Sequence, residues 1–202
     1  MPSHKKPVLK NDAIRVILNV FQKHKLQTYS ELAKQGATSA ILKKLVEEGL
    51  ITAVGSGIYA SIQLDPFVAA VLATAKHYPQ AVISGHTALQ IHGLGEEYVL
   101  KVDVDISRDT SVRNRMLAVH RVSNSRLVGI ISMPYHGGKI RIYDIERTLC
   151  EAYLLDSRGP IFFKALKRYC AIGSVITEQI AKYDHILKTQ VLSHLRQELA
   201  DG

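Results

Sequence analysis

Residues 28–60, TYSELAKQGATSAILKKLVEEGLITAVGSGIYA, restrict what this chain can fold into more than any other stretch. Ser30 can cap a short helix over 30–35, and Gly36 breaks it. Thr38 can cap a second helix that runs to Glu48. Gly49 then falls just past the helix end, where a left-handed residue is favoured. Residues 50–54 and 58–60 read as strands joined by Gly55-Ser56-Gly57. Helix, turn, helix and tight hairpin make the pattern of a winged helix-turn-helix. In that module the second helix enters the major groove of DNA and the wing touches backbone or minor groove.

The segment before it supports the same unit. Over residues 12–24, Ile14, Ile17, Leu18 and Phe21 recur at helical spacing and predict one apolar face. On the helix over 38–48, Leu42, Leu45 and Val46 turn inward with Ile41 flanking them, which leaves Thr38, Ser39, Lys43 and Lys44 outward. Hydroxyls can hydrogen-bond bases or phosphates, and lysines can meet phosphates or guanine. Charge points the same way. Residues 1–64 carry nine Lys and Arg against four Asp and Glu, whereas the longer remainder carries 17 against 14. The whole chain is +8 with a pI near 9.5, which favours a polyanionic partner. Residues 1–11, MPSHKKPVLKN, are expected to be a flexible basic arm able to follow a phosphate backbone.

The rest predicts an α+β organisation: a domain over 12–64, a linker near 61–65, and a mixed α/β domain over 65–202. Asp65 and Pro66 look like the cap and first residue of a helix over 66–77, with Phe67, Ala70 and Val71 as its buried stripe and Thr74 at the stripe's edge. Ser84 can cap a helix over 85–92 that Gly93 ends. His86 and His92 lie six apart, which does not put them on one helix face as i,i+4 ligands would be, and are expected to be structural or surface histidines. Residues 98–107 alternate Leu100, Val102, Val104 and Ile106 against Lys101, Asp103 and Asp105, the pattern of a half-buried strand with a polar face. Strands are expected over 117–122, 128–133 and 139–143, the last two joined at Gly137-Gly138. The sheet is expected to be small and mostly antiparallel. Asp144 caps a helix over 145–156 with Leu149 and Tyr153 inward. Pro160 opens another to 171, with Phe163, Leu166 and Tyr169/Cys170 on its apolar side. Helices over 175–187 and 189–200 close the chain.

Asp103-Val104-Asp105 is the sharpest catalytic candidate, because nucleotidyltransferases hold two metal ions on an Asp-x-Asp pair of one strand face. They precede it with a glycine-rich helix start, for which SGHTAL at 84–89 is an imperfect match. His86 would obstruct close approach of a triphosphate, and a third carboxylate has no clear candidate. No nuclease Glu-x-Lys follows the pair, and Ser84 with His86 lacks a nucleophile elbow. The bland reading, a strand with an acidic edge, is preferred. Arg147, near Asp144 and Glu146, is expected to form a buried ion pair that ties helix to sheet. Cys150 and Cys170 lie in apolar stretches without metal-ligand spacing and read as reduced thiols of a cytoplasmic protein. No membrane-length apolar run appears, so no membrane span is expected, and MPSHKKPVLKN lacks the apolar stretch expected of a signal peptide.

Four stretches taken in order resemble the AbiEi-type antitoxins of bacterial type IV toxin–antitoxin systems: LVEEGLITAVGSGIYA, VISGHTALQIHGL, VHRVSNSRLVGI and RIYDIERTLCEAYLL. Two details depart from that family: Gly85 separates Ser84 from His86, and Cys150-Glu151 follows the Glu-Arg-Thr-Leu run. The resemblance implies an N-terminal winged helix that represses its own operon by binding DNA upstream, and a C-terminal antitoxin domain. That domain counters a co-encoded nucleotidyltransferase-like toxin, without necessarily forming a stable complex. The family's DNA-binding role carries onto Thr38, Ser39, Lys43, Lys44, Ser56 and Gly57; the antitoxin role carries onto the second domain as a whole. The expectation is therefore a cytoplasmic, non-enzymatic autorepressor and antitoxin without cofactor or metal, with Ser84, His86, Asp144 and Arg147 structural. The alternatives are a transcriptional regulator with a ligand-sensing second domain, and a nucleotidyltransferase using Asp103 and Asp105.

Overall fold

The computed structural model describes residues 10–201 apart from 56, 97–99, 113 and 158. It is α+β and divides into two compact units, residues 1–73 and 74–202. Among the described residues no helix is long and apolar enough to cross a membrane.

The first unit runs α1 (Lys10–Lys23), β1 (Leu26–Thr28), α2 (Tyr29–Ala33), α3 (Ser39–Glu47), β2 (Ile51–Gly55) and β3 (Ile58–Ser61). Its strands form an antiparallel sheet in the order β1-β3-β2, with Leu26 opposite Ala60 and Ile51 opposite Ser61. The core gathers Ile17 and Phe21 of α1, Leu32 of α2, Ile41, Leu42 and Leu45 of α3, and Ile51 of β2, with Ile14, Leu18 and Val46 packed against it. These are largely the positions that the helical spacing selects.

Three local differences have clear causes. Helix α2 is capped by Thr28, not Ser30. The Thr28 hydroxyl accepts from the Glu31 N–H at 3.3 Å while a Glu31 carboxylate oxygen accepts from the Thr28 N–H at 2.7 Å. This reciprocal capping box satisfies two donors where Ser30 could satisfy one. Strand β1, which the sequence reading lacks, is three residues long, and its partner β3 lies about thirty residues away. The expected arm over 1–11 runs into α1 at Lys10, and residues 1–9 lie outside the described residues.

Helix α4 (Pro66–His77) crosses the division between the units. Asp65 Oδ1 accepts from the N–H groups of Phe67 and Val68 at 2.9 and 3.1 Å, the cap that Asp65-Pro66 predicts. Its buried positions are Val68, Ala69, Val71, Leu72 and Ala73, with Thr74 buried beside them, while Phe67 and Ala70 are only partly covered. The expected stripe is therefore rotated by about a residue.

The second unit continues with β4 (Val82–Ile83), α5 (Gly85–Ile91), β5 (Val102–Ser107), β6 (Leu117–Val122), β7 (Ile130–Tyr135), β8 (Gly138–Tyr143), α6 (Ile145–Leu155), α7 (Pro160–Ile172), α8 (Thr177–Leu187) and α9 (Val191–Asp201). Its five strands lie in the order β6-β5-β4-β8-β7. Strand β4 is antiparallel to β5 but parallel to β8, and β5 is parallel to β6. The sheet is mixed, not mostly antiparallel, because two of its neighbouring pairs are joined by crossovers rather than hairpins. At its centre is β4, two fully buried residues that no periodicity can report. The β7–β8 hairpin turns through His136 and Gly137 at φ 44° and 82°, one residue earlier than expected, so that Gly138 pairs with Tyr135.

Helices α5 to α9 share an apolar core that includes Leu89, Leu149, Phe162, Leu166, Ile180, Leu187, Val191 and Leu195. On α7 the buried aromatics are Phe162 and the expected Tyr169, while the expected Phe163 is exposed. Tyr153 packs edge-on to Phe162, with ring centroids 5.1 Å apart.

Candidate nucleic-acid interface and carboxylate cluster

In the first unit, Thr38 is the N-cap of α3, its hydroxyl accepting from the Ile41 N–H at 3.3 Å. Thr38, Ser39, Lys43 and Lys44 are all exposed, Thr38 at the N-terminus of α3 and the other three on the side away from Ile41, Leu42 and Leu45. Both lysines have acidic partners one turn on: Lys43 to Glu47 at 3.7 Å and Lys44 to Glu48 at 3.5 Å. Such exposed pairs contribute only about 0–1 kcal/mol each, so a phosphate can displace the carboxylates. Gly57 is exposed in the β2–β3 turn at φ +69°, a conformation that glycine adopts without strain. Ser56 lies outside the described residues. The structure thus places Thr38, Ser39, Lys43 and Lys44 on one helix and Gly57 in the adjoining turn. It also brings in Tyr29, which the sequence reading missed. The Tyr29 N–H donates to the Gly57 carbonyl at 2.6 Å, and its hydroxyl lies 3.4 Å from Ser39 Oγ.

In the second unit, Asp103 and Asp105 do lie on one face of β5, two residues apart, but the strand is buried along most of its length. This corrects the expected solvated acidic edge. Alternation cannot distinguish a polar face in water from one whose polar groups are satisfied internally. Leu100, before the strand, is 79% exposed, and residues 98 and 99 lie outside the described residues. Asp105 Oδ1 accepts from Ser84 Oγ and Oδ2 from the Tyr143 hydroxyl, each at 2.8 Å. Asp103 Oδ2 accepts from the Thr87 N–H and hydroxyl at 3.3 and 3.4 Å, and the Asp103 N–H donates back to Thr87 Oγ1 at 2.8 Å. His120 Nε2 reaches Asp103 Oδ1 at 3.4 Å.

Ser84 is at the N-cap of α5 but makes no side-chain cap bond, because its hydroxyl is spent on Asp105. Gly85 is required by close packing: at φ +53°, a Cβ there would sit 3.1 Å from Asp103 Cβ and Cγ. Among the described residues no set of three His, Cys, Asp or Glu side chains converges as metal ligands. His86 is half-buried with Nδ1 unpartnered among the described residues. His92, half-buried, places Nε2 2.8 Å from the Tyr143 carbonyl.

The Asp-Ile-Glu-Arg-Thr-Leu run organises what surrounds this cluster. Asp144 caps α6, accepting from the Arg147 N–H at 2.7 Å, and its other oxygen takes the Tyr183 hydroxyl. Glu146 accepts from Tyr169 on α7 at 2.9 Å. Arg147 has no solvent exposure. Its charge is met not by Asp144 or Glu146 but by Glu151, one turn on, at 2.5 Å. Side chains at i and i+4 share a helix face, whereas Asp144 is engaged by the Arg147 N–H and the Tyr183 hydroxyl and Glu146 by the Tyr169 hydroxyl. The guanidinium also stands 4.2 Å over the Tyr143 ring on β8 and donates to the Arg126 carbonyl at 3.4 Å, so it does tie helix to sheet.

Burial dominates the electrostatics. It raises the Tyr143 phenol well above its ordinary value, with Asp105 adding to the effect, so that the hydroxyl remains a donor to that carboxylate. It pushes the Cys150 thiol up to about 12 and the Tyr169 phenol to about 12. It lowers His92 against the opposing pull of the Tyr143 carbonyl. His120 is raised, chiefly by its hydrogen bond to Asp103.

No family model matches the chain, and no curated protein matches it in sequence. Among solved structures, the chain is similar to the RV2827C protein from Mycobacterium tuberculosis, with a TM-score of 0.61 and 14% identity over 91% of this chain and 75% of that one. At that identity the likeness establishes a shared α+β fold.

Proposed function

We propose that this chain is a DNA-binding autorepressor and antitoxin of the AbiEi type. Its first unit serves as a winged helix-turn-helix and its second counters a co-encoded nucleotidyltransferase-like toxin in the cytoplasm. The observation that carries the DNA reading is the three-stranded β1-β3-β2 sheet behind α3. It leaves Thr38, Ser39, Lys43 and Lys44 exposed on one helix with Gly57 in the adjoining turn. A helix carrying short hydroxyls and cations suits a major groove and its phosphate rims, and the excess of basic residues over 1–64 adds long-range attraction. The protein acts by binding rather than by catalysis: Asp103 and Asp105 already accept from Ser84, Thr87, Tyr143 and His120.

Gel shifts on the DNA upstream of the gene test the first half. Specific binding is expected, and Lys43→Ala with Lys44→Ala should lower the slope of log affinity against log salt by about 2. An unchanged slope would refute the assignment of α3. Co-expression with the neighbouring reading frame tests the second half: growth arrest by that frame alone and recovery with this chain are expected.

A further inference from the structure

Tyr29 is an aromatic residue left 39% exposed beside the α3 face just described, and its position is held from two directions. Behind it lies the β2–β3 turn. The Tyr29 N–H donates to the Gly57 carbonyl at 2.6 Å, and a Cβ on Gly57 would sit 3.7 Å from Tyr29 Cβ. The Thr28–Glu31 capping box fixes its backbone at the start of α2. Ahead of it lies α3, whose first residue, Ser39, donates its hydroxyl to the Tyr29 oxygen at 3.4 Å. A phenol that accepts from Ser39 still has its own proton to give. An anionic oxygen is a stronger acceptor for that proton than a neutral one.

The surroundings suit an anion. The first turn of α3 has no acidic residue, and the acids that pair with Lys43 and Lys44 lie at its far end. Glu31 is turned back onto Thr28, accepting from both its N–H and its hydroxyl. Ser30 and Ser39 are both exposed.

We propose that Tyr29, its backbone tied to Gly57 of the turn and its phenol oxygen met by Ser39 of α3, donates its hydroxyl proton to a DNA backbone phosphate and seats α3 in the groove. This rests on the DNA-binding reading of the first unit. It assigns Tyr29 to backbone positioning, not to reading sequence.

Tyr29→Phe removes the donor and keeps the ring, so the test is equilibrium binding of the full chain and of this variant across a range of salt. Two duplexes of equal length are used, one from upstream of the gene and one unrelated. The Tyr29→Phe variant should bind both more weakly by the same factor, about fivefold to tenfold. The salt slope should be unchanged, because a neutral donor releases no counterion. Binding by Tyr29→Phe equal to that of the natural chain overturns the proposal, as does a loss confined to the upstream duplex, which would mean a base contact. If the natural chain itself binds neither duplex, the DNA-binding reading fails and takes this contact with it.

Discussion

Arg147 carries a full charge with no solvent exposure, so its compensation decides whether the second unit holds together. Glu151 at 2.5 Å, the Tyr143 ring and the Arg126 carbonyl share that task, and Nε has no partner among the described residues. Removing one member leaves the other charge uncompensated. Arg147→Ala should cost about 3–5 kcal/mol in urea unfolding, with Glu151→Ala also destabilising. Arg147→Met combined with Glu151→Leu should cost less than Arg147→Ala alone, because no charge is then stranded. His92 makes a pH prediction at the same scale. Burial holds its pKa below the ordinary 6.5, so between the two values the unfolded chain binds more protons. Its contribution is full above pH 6.5 and is lost as pH falls. His120 has the opposite sign: raised by Asp103, its contribution is full below 6.5 and lost as pH rises through the folded value, and its half-exposed side chain limits the weight. The urea midpoint should therefore drop between about pH 7 and about pH 5.5; His92→Gln should flatten that drop, whereas His120→Gln should steepen it slightly.

Elements in this protein are set by short-range chemistry at their ends and by long-range pairing at their centres. Capping at Thr38, Asp65 and Asp144 was legible because a side-chain oxygen and the donors it serves lie within three residues. Strand β4 was not legible, since two residues have no period, and neither was its placement between β5 and β8. Left-handed glycines show the contrast between local and tertiary demands. Gly93 ends α5 at φ +72° with open space around it, and Gly93→Ala should cost only about 1 kcal/mol. Gly129 has a similar φ of +74°, but a Cβ there would sit 2.6 Å from the Tyr183 hydroxyl and 2.9 Å from Arg147 Cβ. Gly129→Ala should cost at least about 2 kcal/mol. Thermal melts of the two variants check this, and equal shifts would show that packing against Tyr183 and Arg147 adds nothing.

At the scale of the whole molecule, charge and polar burial are distributed differently between the two units. The first presents hydroxyls and lysines outward from α3, while the second turns Asp103, Asp105, Glu146 and Arg147 inward. If the proposed division of labour holds, the two activities separate. Lys43→Ala with Lys44→Ala should abolish repression of an upstream reporter yet still restore growth against the toxin. Loss of both activities together would mean that protection requires DNA binding. The helices of both units, most of their core positions and the α3 surface face could be read from periodicity and capping, which act over one or two turns. So could the Asp-Ile-Glu-Arg-Thr-Leu helix and the burial of Leu149 within it.

The amino-acid sequence alone determined the succession of helices, the cap residues of α3, α4 and α6 and the outward face of α3, all of which follow from interactions between near neighbours. Only the tertiary structure decided the mixed sheet, the burial of Asp103 and Asp105, the choice of Glu151 as partner to Arg147 and the seat of Tyr29 between turn and helix. Each of these depends on strands and helices that meet across tens of residues. A polar side chain's role changes from solvated edge to satisfied core according to which donors arrive beside it, and pattern along the chain carries no record of those arrivals.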